Sequence, residues 1–238
     1  KPRENIAIYG SFANSYTRPS ILAQTPAANG PFSPEKGRQF EAGVKFELLK
    51  SKLFITSAIY QIDKTDVLRA DPLFGPSGTN FNALLVVGAV RNRGFDIDAN
   101  GAITRRWNFS FNYSHINSRI TKDNTASVVG KSLPNVPVNT VGFFTRYDLT
   151  SEIGIGIGGE FVGDRIEPFA NLKSPSYKTF DLSYYHTFLK RFRLNLKMEN
   201  VGNEVYSLSS LFNPRAGNFP GQPRTFSASL TILSFVKK

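Results

Sequence analysis

Residues 177–206 read Y-K-T-F-D-L-S-Y-Y-H-T-F-L-K-R-F-R-L-N-L-K-M-E-N-V-G-N-E-V-Y. Phe180, Leu182 and Tyr184 fall on one side of an extended chain, and Thr179, Asp181 and Ser183 on the other. Beyond a break, Phe192, Leu194, Leu196 and Met198 alternate with Arg193, Asn195, Lys197 and Glu199. A helix would space its apolar residues three and four apart, so this period of two predicts two antiparallel strands joined by a tight turn at residues 189–191. A charged polar face fits bulk water beside a half-buried soluble sheet. It also fits the wet lumen of an outer-membrane barrel whose apolar face touches lipid. The hairpin alone leaves both open.

The same alternation recurs outward from this hairpin. Ile6, Ile8 and Phe12 begin a first strand, and Phe40, Ala42, Val44, Phe46 and Leu48 oppose Glu41, Gly43, Lys45 and Glu47 on a second. After a short turn at 49–52, a return strand uses Phe54, Thr56, Ala58, Tyr60 and Ile62. Residues 90–103 form the next, turning at Asn100 and Gly101, and Trp107, Phe109, Phe111 and Tyr113 carry the one after. Val141, Phe143, Thr145 and Tyr147 precede a turn at 149–152, and Ile153, Ile155, Ile157 and Phe161 follow it. Phe226, Ala228, Leu230 and Ile232 close the series of about ten strands.

The connections are sorted. Insertions at residues 16–37, 63–88, 117–139, 163–175 and 207–223 alternate with short turns. Several of the long ones are rich in proline and glycine, which stop a sheet. A soluble sandwich has no reason to place every long loop on alternate connections, although extracellular sandwiches and lectins also carry period-two aromatic strands. An up-and-down barrel in an outer membrane has short periplasmic turns at one rim and long extracellular loops at the other.

Composition agrees. The 238 residues are 40% hydrophobic and 13% aromatic, with 21 Phe, 9 Tyr, 19 Gly and no Cys, which favours strands and turns over helices and rules out disulfides and thiolate chemistry. The longest apolar run, residues 83–90, falls far below the roughly 18–20 residues of a spanning helix. The net charge of +11 is dispersed over strands and turns without a basic run or an aromatic RNA-binding signature. It points to an anionic membrane surface or ligand instead of nucleic acid.

Five strings, in order, then carry a resemblance. They are Y-T-R-P-S (16–20), S-P-E-K-G-R-Q-F-E-A-G-V-K-F (33–46), V-R-N-R-G-F-D-I-D-A-N-G (90–101), M-E-N-V-G-N-E-V-Y (198–206) and G-Q-P-R-T-F-S-A-S-L (221–230). Together they resemble the C-terminal part of the barrel of TonB-dependent outer-membrane siderophore receptors. The resemblance implies an all-β, antiparallel, up-and-down transmembrane β-barrel of about 22 strands. Residues 1–238 would supply about ten of them as one partial domain, without the N-terminal plug. It further implies a receptor and transporter for ferric siderophores, or a cobalamin- or haem-like cargo, energised through the TonB complex. The setting is the outer membrane of a Gram-negative envelope with its lipid and lipopolysaccharide. One departure lies at the C-terminus, where Phe235 is out of phase with Phe226, Leu230 and Ile232 and is followed by Val236, Lys237 and Lys238. The alternative is a small complete outer-membrane barrel acting as a pore or adhesin.

The sequence predicts no catalytic constellation. Some ten-stranded outer-membrane barrels are proteases, but the two histidines fall toward opposite rims: His115 where the fifth strand meets its loop, His186 near a short turn in the periplasmic girdle. A proton-transferring histidine should meet acids or a nucleophile at one rim, and two histidines this far apart make poor joint metal ligands, so no catalytic residue, metal site or cofactor is expected. The glycines at 154, 156, 158 and 159 lie in a strand without a following helix, so they are not a phosphate cradle; they are expected to leave room for the plug. Binding is the better expectation. The long loops hold Tyr16, Arg18, Phe32, Phe74, Phe81, Phe169, Phe212, Arg215 and Phe219, rings beside guanidinium groups that suit an anionic, partly apolar chelate. Glu41, Lys45, Glu47, Arg91, Arg93, Asp96, Asp98, Arg193, Lys197 and Glu199 are expected to face inward in charge networks.

Overall fold

A computed structural model describes residues 3–26, 30–70, 84–167, 173–210 and 218–232. Ten strands make one sheet: β1 (Ile6–Thr17), β2 (Glu35–Leu48), β3 (Leu53–Ala70), β4 (Leu84–Ala102), β5 (Trp107–Lys122), β6 (Asn139–Asp148), β7 (Ile153–Val162), β10 (Tyr177–Phe188), β11 (Phe192–Glu199) and β14 (Thr225–Ile232). Every pairing is antiparallel and each strand lies beside the one before it, the meander of an up-and-down wall. Two small hairpins stand outside it, β8 (Arg165–Ile166) with β9 (Lys173–Ser174), and β12 (Ser207–Ser210) with β13 (Asn218–Pro220). Helical structure among the described residues is limited to 3-10 turns at Ile21–Gln24 and Ala126–Val128.

The wall is inside out compared with a soluble sheet. Along β10, Phe180 and Leu182 are 47% and 44% exposed, while Thr179 and Ser183 are each 8% exposed. On β3, Ile59 is 65% exposed and Ala58 8%. The register carries the apolar face from strand to strand: Phe12 opposes Phe40, Ile59 opposes Phe95, Ile157 opposes Leu182, and Met198 opposes Phe226. Water would not tolerate so continuous an apolar surface, whereas hydrocarbon does. Near the short turns this face bears an aromatic band. Tyr184, His186, Phe188 and Phe192 pack in series with ring centroids 5.5–6.0 Å apart, edge-to-face except for the stacked Phe188 and Phe192, and the Trp107 indole donates to Thr145 Oγ1 at 2.7 Å. His186 thus sits where the girdle was expected.

Strand lengths differ from the sequence expectation. β6 and β7 have 10 residues each, the length a bilayer requires, but β3, β4 and β5 have 18, 19 and 16. Much of the loops expected at 63–88 and 117–139 is therefore strand, projecting by about 20–30 Å beyond the band at about 3.3 Å per residue. His115 lies within β5 instead of at its end, opposite Phe95 and Asn139. Tyr16, expected in a loop, is the penultimate residue of β1 and opposes Lys36. The β4–β5 turn falls at 103–106, not at Asn100 and Gly101, because both of those residues still pair with β3.

Arg91 and Arg93 also depart from expectation. β4 runs without a bulge from Val90 to Ala102, so its pleat puts Arg91 and Arg93 on the side of Phe95 and Ile97, and Asp96 and Asp98 on the other. The two arginines face outward. They sit beyond the apolar band, where an outward charge meets water and headgroups instead of hydrocarbon. Residues 233–238, including Phe235, lie outside the described residues. β1 and β14 pair on one side only among these residues, so the ten strands form an open sheet whose edges need strand partners in a bilayer.

Candidate functional site

The polar face of the wall opens toward a cavity of about 650 Å³ on β5, β6, β7, β10 and β11, near the long-loop ends. Its charged lining is Glu160, Asp181, Lys197 and Glu199. Lys197 Nζ is 2.7 Å from Glu199 and 3.8 Å from Asp181, so one cation serves two carboxylates. Elsewhere on this face Tyr9 donates to Glu41 at 2.8 Å under the Lys45 ammonium, and Ser114 donates to Asp96 at 2.6 Å. The inward network is thus built largely from acids held by hydroxyls of adjacent strands.

The room expected over the β7 glycines is filled from β6. A Cβ at Gly156 or Gly158 would meet the Phe144 ring at 3.1–3.3 Å, and one at Gly154 would meet Asp148 Oδ1 at 2.6 Å, with Arg146 Nε at 3.2 Å. Arg146 in turn lies 4.3 Å over the Tyr185 ring. These glycines accommodate neighbouring side chains of the wall itself.

Above the cavity two loops are locked together by a residue not singled out in the sequence. Arg165, 4% exposed, donates to the carbonyls of Leu208 at 2.7 Å and Ser207 at 2.5 Å, and its guanidinium lies 5.6 Å over the Tyr177 ring. Tyr177 stacks on Tyr206 at 4.2 Å. Burial, reinforced by the Glu160 charge, pushes the Tyr206 hydroxyl above its ordinary value, so it stays protonated. Asn200, 3% exposed and with φ +49°, completes the knot: Nδ2 donates to Glu204 O and Gln222 O, and Oδ1 accepts from Glu204 N at 2.8 Å. The M-E-N-V-G-N-E-V-Y string is therefore a structural clasp. The only local hint of Arg165 was a lone arginine at the start of a loop, and its partners lie more than forty residues away.

Of the candidate ligand residues, Arg18 is exposed just after β1. Phe32 is half-buried, with its N–H donating to Gln24 Oε1 at 3.1 Å and its carbonyl accepting from Gln24 Nε2 at 3.3 Å. Phe219 is half-exposed on β13 opposite Ser209. Tyr16 lies on the outward face, away from the cavity. Among the described residues, Arg18 and Phe32 lie between β1 and β2 and Phe219 between β11 and β14, at opposite side edges of the open sheet, so the structure does not bring them together. Phe74, Phe81, Phe169, Phe212 and Arg215 lie outside the described residues.

This inverted wall, with its loops sorted to one rim, has a counterpart in sequence. Residues 1–201 match the family described as TonB dependent receptor-like, beta-barrel. The chain belongs to this TonB-dependent receptor β-barrel family. It is therefore an outer-membrane barrel wall. The metal-pseudopaline receptor CntO of Pseudomonas aeruginosa is 29% identical over 231 residues, covering 94% of this chain and 31% of that protein. The probable TonB-dependent siderophore receptor PiuA of Acinetobacter baumannii is 29% identical, covering 87% and 29%. The crystal structure of PiuA superposes with a TM-score of 0.79 at 26% identity, over 98% of this chain and 34% of that one. The closed form of the ferric-catecholate import receptor Fiu of Escherichia coli K12 shares the fold, with a TM-score of 0.80 at 22% identity over 98% and 34%. The chain spans about a third of the length of these relatives.

Proposed function

We propose that residues 1–238 form the C-terminal part of the wall of a receptor that takes up ferric siderophores across the outer membrane, energised through TonB. One observation carries this reading: the wall is apolar outside and polar inside, with its long connections at a single rim, in a family whose similar members are named as siderophore receptors. In this role the chain is a carrier and not an enzyme, the polar face meets a plug, and the long loops form the capture vestibule. Arg18, Phe32 and Phe219 contribute a guanidinium and aromatic rings suited to an anionic, partly apolar chelate, along with Phe74, Phe81, Phe169, Phe212 and Arg215. The Arg165 clasp holds two of these loops over the cavity.

The test is iron uptake. A strain lacking the gene is supplied with radio-iron loaded on hydroxamate, catecholate and carboxylate siderophores, with haem and cobalamin as separate arms. Restoration of uptake of one siderophore class by the gene, abolished when TonB is absent, is the expected result. Uptake of haem or cobalamin alone would reassign the cargo. No uptake, together with steady open-channel conductance in planar bilayers, would instead favour a pore.

A further inference from the structure

The four described turns at the short-turn rim share a composition that turn geometry does not require. Residues 49–52 read Leu-Lys-Ser-Lys, 103–106 Ile-Thr-Arg-Arg, 149–152 Leu-Thr-Ser-Glu and 189–191 Leu-Lys-Arg. Each opens on an exposed aliphatic side chain: Leu49, Ile103, Leu149 and Leu189, the last 79% exposed. Leu49 and Leu189 sit there at positive φ, where Asn or Gly is the relaxed choice. Lys50, Lys52, Arg105, Arg106, Lys190 and Arg191 are all exposed, and no ion pair forms to any of them among the described residues. Glu152 is the one acid in the four turns.

Backbone bonds seat these turns in one row. Lys52 O accepts from Ala102 N–H at 2.7 Å, Arg106 O from Asp148 N–H at 2.8 Å and Glu152 O from Thr187 N–H at 2.8 Å. The first two turns adjoin, about two strand spacings or 10 Å apart. Lys50 shares a shallow depression with Glu4 and Glu47. The uncompensated cluster is therefore Lys52, Arg105 and Arg106, with Leu49 and Ile103 beside it.

The depth of this cluster follows from the aromatic girdle, which marks the border between hydrocarbon and headgroups. Trp107 directly follows Arg106, and Phe188 and Phe192 flank residues 189–191. A cation one or two residues past the girdle lies within about 7 Å of it, the thickness of one headgroup layer. Lys52 is held at the same depth by its bond to Ala102. In that layer an aliphatic side chain turns back to acyl chains while a neighbouring cation meets phosphate. A soluble acidic partner would satisfy the cations and leave four aliphatic side chains in water.

We propose that the adjoining turns at 49–52 and 103–106 bind an anionic glycerophospholipid of the periplasmic leaflet, its phosphodiester held by Lys52, Arg105 and Arg106 and its acyl chains against Leu49 and Ile103. Guanidinium groups match phosphate oxygens in planar, two-point hydrogen bonds. A zwitterionic phospholipid brings its own ammonium against three cations, so the site selects by net charge. The inference rests on the outer-membrane placement of the wall and not on the cargo proposed above. The cargo is no part of its readout, so the two fail independently.

The test uses the intact receptor that carries these residues, in phosphatidylcholine nanodiscs doped with photoactivatable phosphatidylglycerol or phosphatidylethanolamine of the same chains. Adducts are mapped by peptide mass, which separates this rim from every other lipid contact. Peptides spanning 49–52 and 103–107 should be labelled about tenfold more by the phosphatidylglycerol probe, and less as salt rises. Each cation near an anionic surface contributes roughly fivefold. Arg105→Gln with Arg106→Gln should therefore cut the labelling of these peptides about tenfold or more and leave adducts elsewhere on the barrel unchanged, while the Lys pair at the same positions retains more of it. Because these two side chains hold nothing in place among the described residues, both variants should keep the heat-modifiable mobility of the folded barrel. Equal labelling by the two probes, unchanged labelling in the Gln pair, or suppression by soluble polyglutamate at equal charge, which would assign the rim to a soluble acidic partner, would each overturn the proposal.

Discussion

The Asn200 side chain reaches the carbonyl of Gln222, its Nδ2 donating at 3.0 Å across the last loop. The same amide holds both backbone groups of Glu204, and the Asn200 N–H donates to Asp181 Oδ1 at 2.9 Å. One buried amide therefore ties the end of β11, the following turn and the entry to β14. Asn200→Ala should destabilise the folded wall by about 2–4 kcal/mol, from buried groups left unpaired and a positive φ that alanine resists. The check is the midpoint of heat-modified gel mobility; a shift too small to measure would mean the clasp is dispensable.

Gly221 and Tyr206 are sterically coupled. A Cβ at Gly221 would lie 2.2 Å from Tyr206 ring carbons, so Gly221→Ala should drive the ring off Tyr177. Tyr206→Ala removes the obstacle. The double variant should be less destabilised than the two single effects combined, by about 1 kcal/mol or more, and strict additivity in a double-mutant cycle would reject the coupling.

Arg165→Ala should loosen the loops without unfolding the wall. Loss of its bonds to Ser207 and Leu208 exposes the β12–β13 hairpin, with amide exchange there faster by about tenfold or more. The wall's melting midpoint should move little. Ligand affinity should fall through slower capture or faster release, measured by binding kinetics.

Outward apolar residues report the lipid. Leu182→Arg in the apolar band should cost about 2–4 kcal/mol of folding stability in bilayers, whereas the same change on a water-facing strand would be near neutral. Folding titrations in lipid vesicles distinguish these results.

The β10–β11 turn is built from non-glycine residues at positive φ, Leu189 at 50° and Lys190 at 53°. Such turns favour Asn and Gly. Leu189→Asn with Lys190→Gly should raise stability by about 1 kcal/mol and speed hairpin formation, read from refolding rates in detergent. Unchanged rates would show that the hairpin forms late.

The wall was legible because alternation is a local property. A pleat sends successive side chains to opposite sides whatever lies beside them, so Phe180, Leu182 and Tyr184 against Thr179, Asp181 and Ser183 identified the strand and its two faces. The pattern of long and short connections was equally local, and it set the rim to which each loop belongs. Arg18 and Phe32 could be placed in a loop for the same reason.

What the sequence by itself determined was thus the strands, their order and the sorting of their loops, since these follow from spacing along one chain. Only the tertiary structure decided what those faces meet. The outward aim of Arg91 and Arg93 follows from their parity with Phe95 and Ile97, but the rows they join with β1, β2, β3 and β5 are set by register. Phe144 fills the space over Gly156 and Gly158, and Arg165 finds its partners at Ser207 and Leu208. These are contacts between residues distant in the chain, fixed by register and packing, and neither is encoded in the spacing of any single strand.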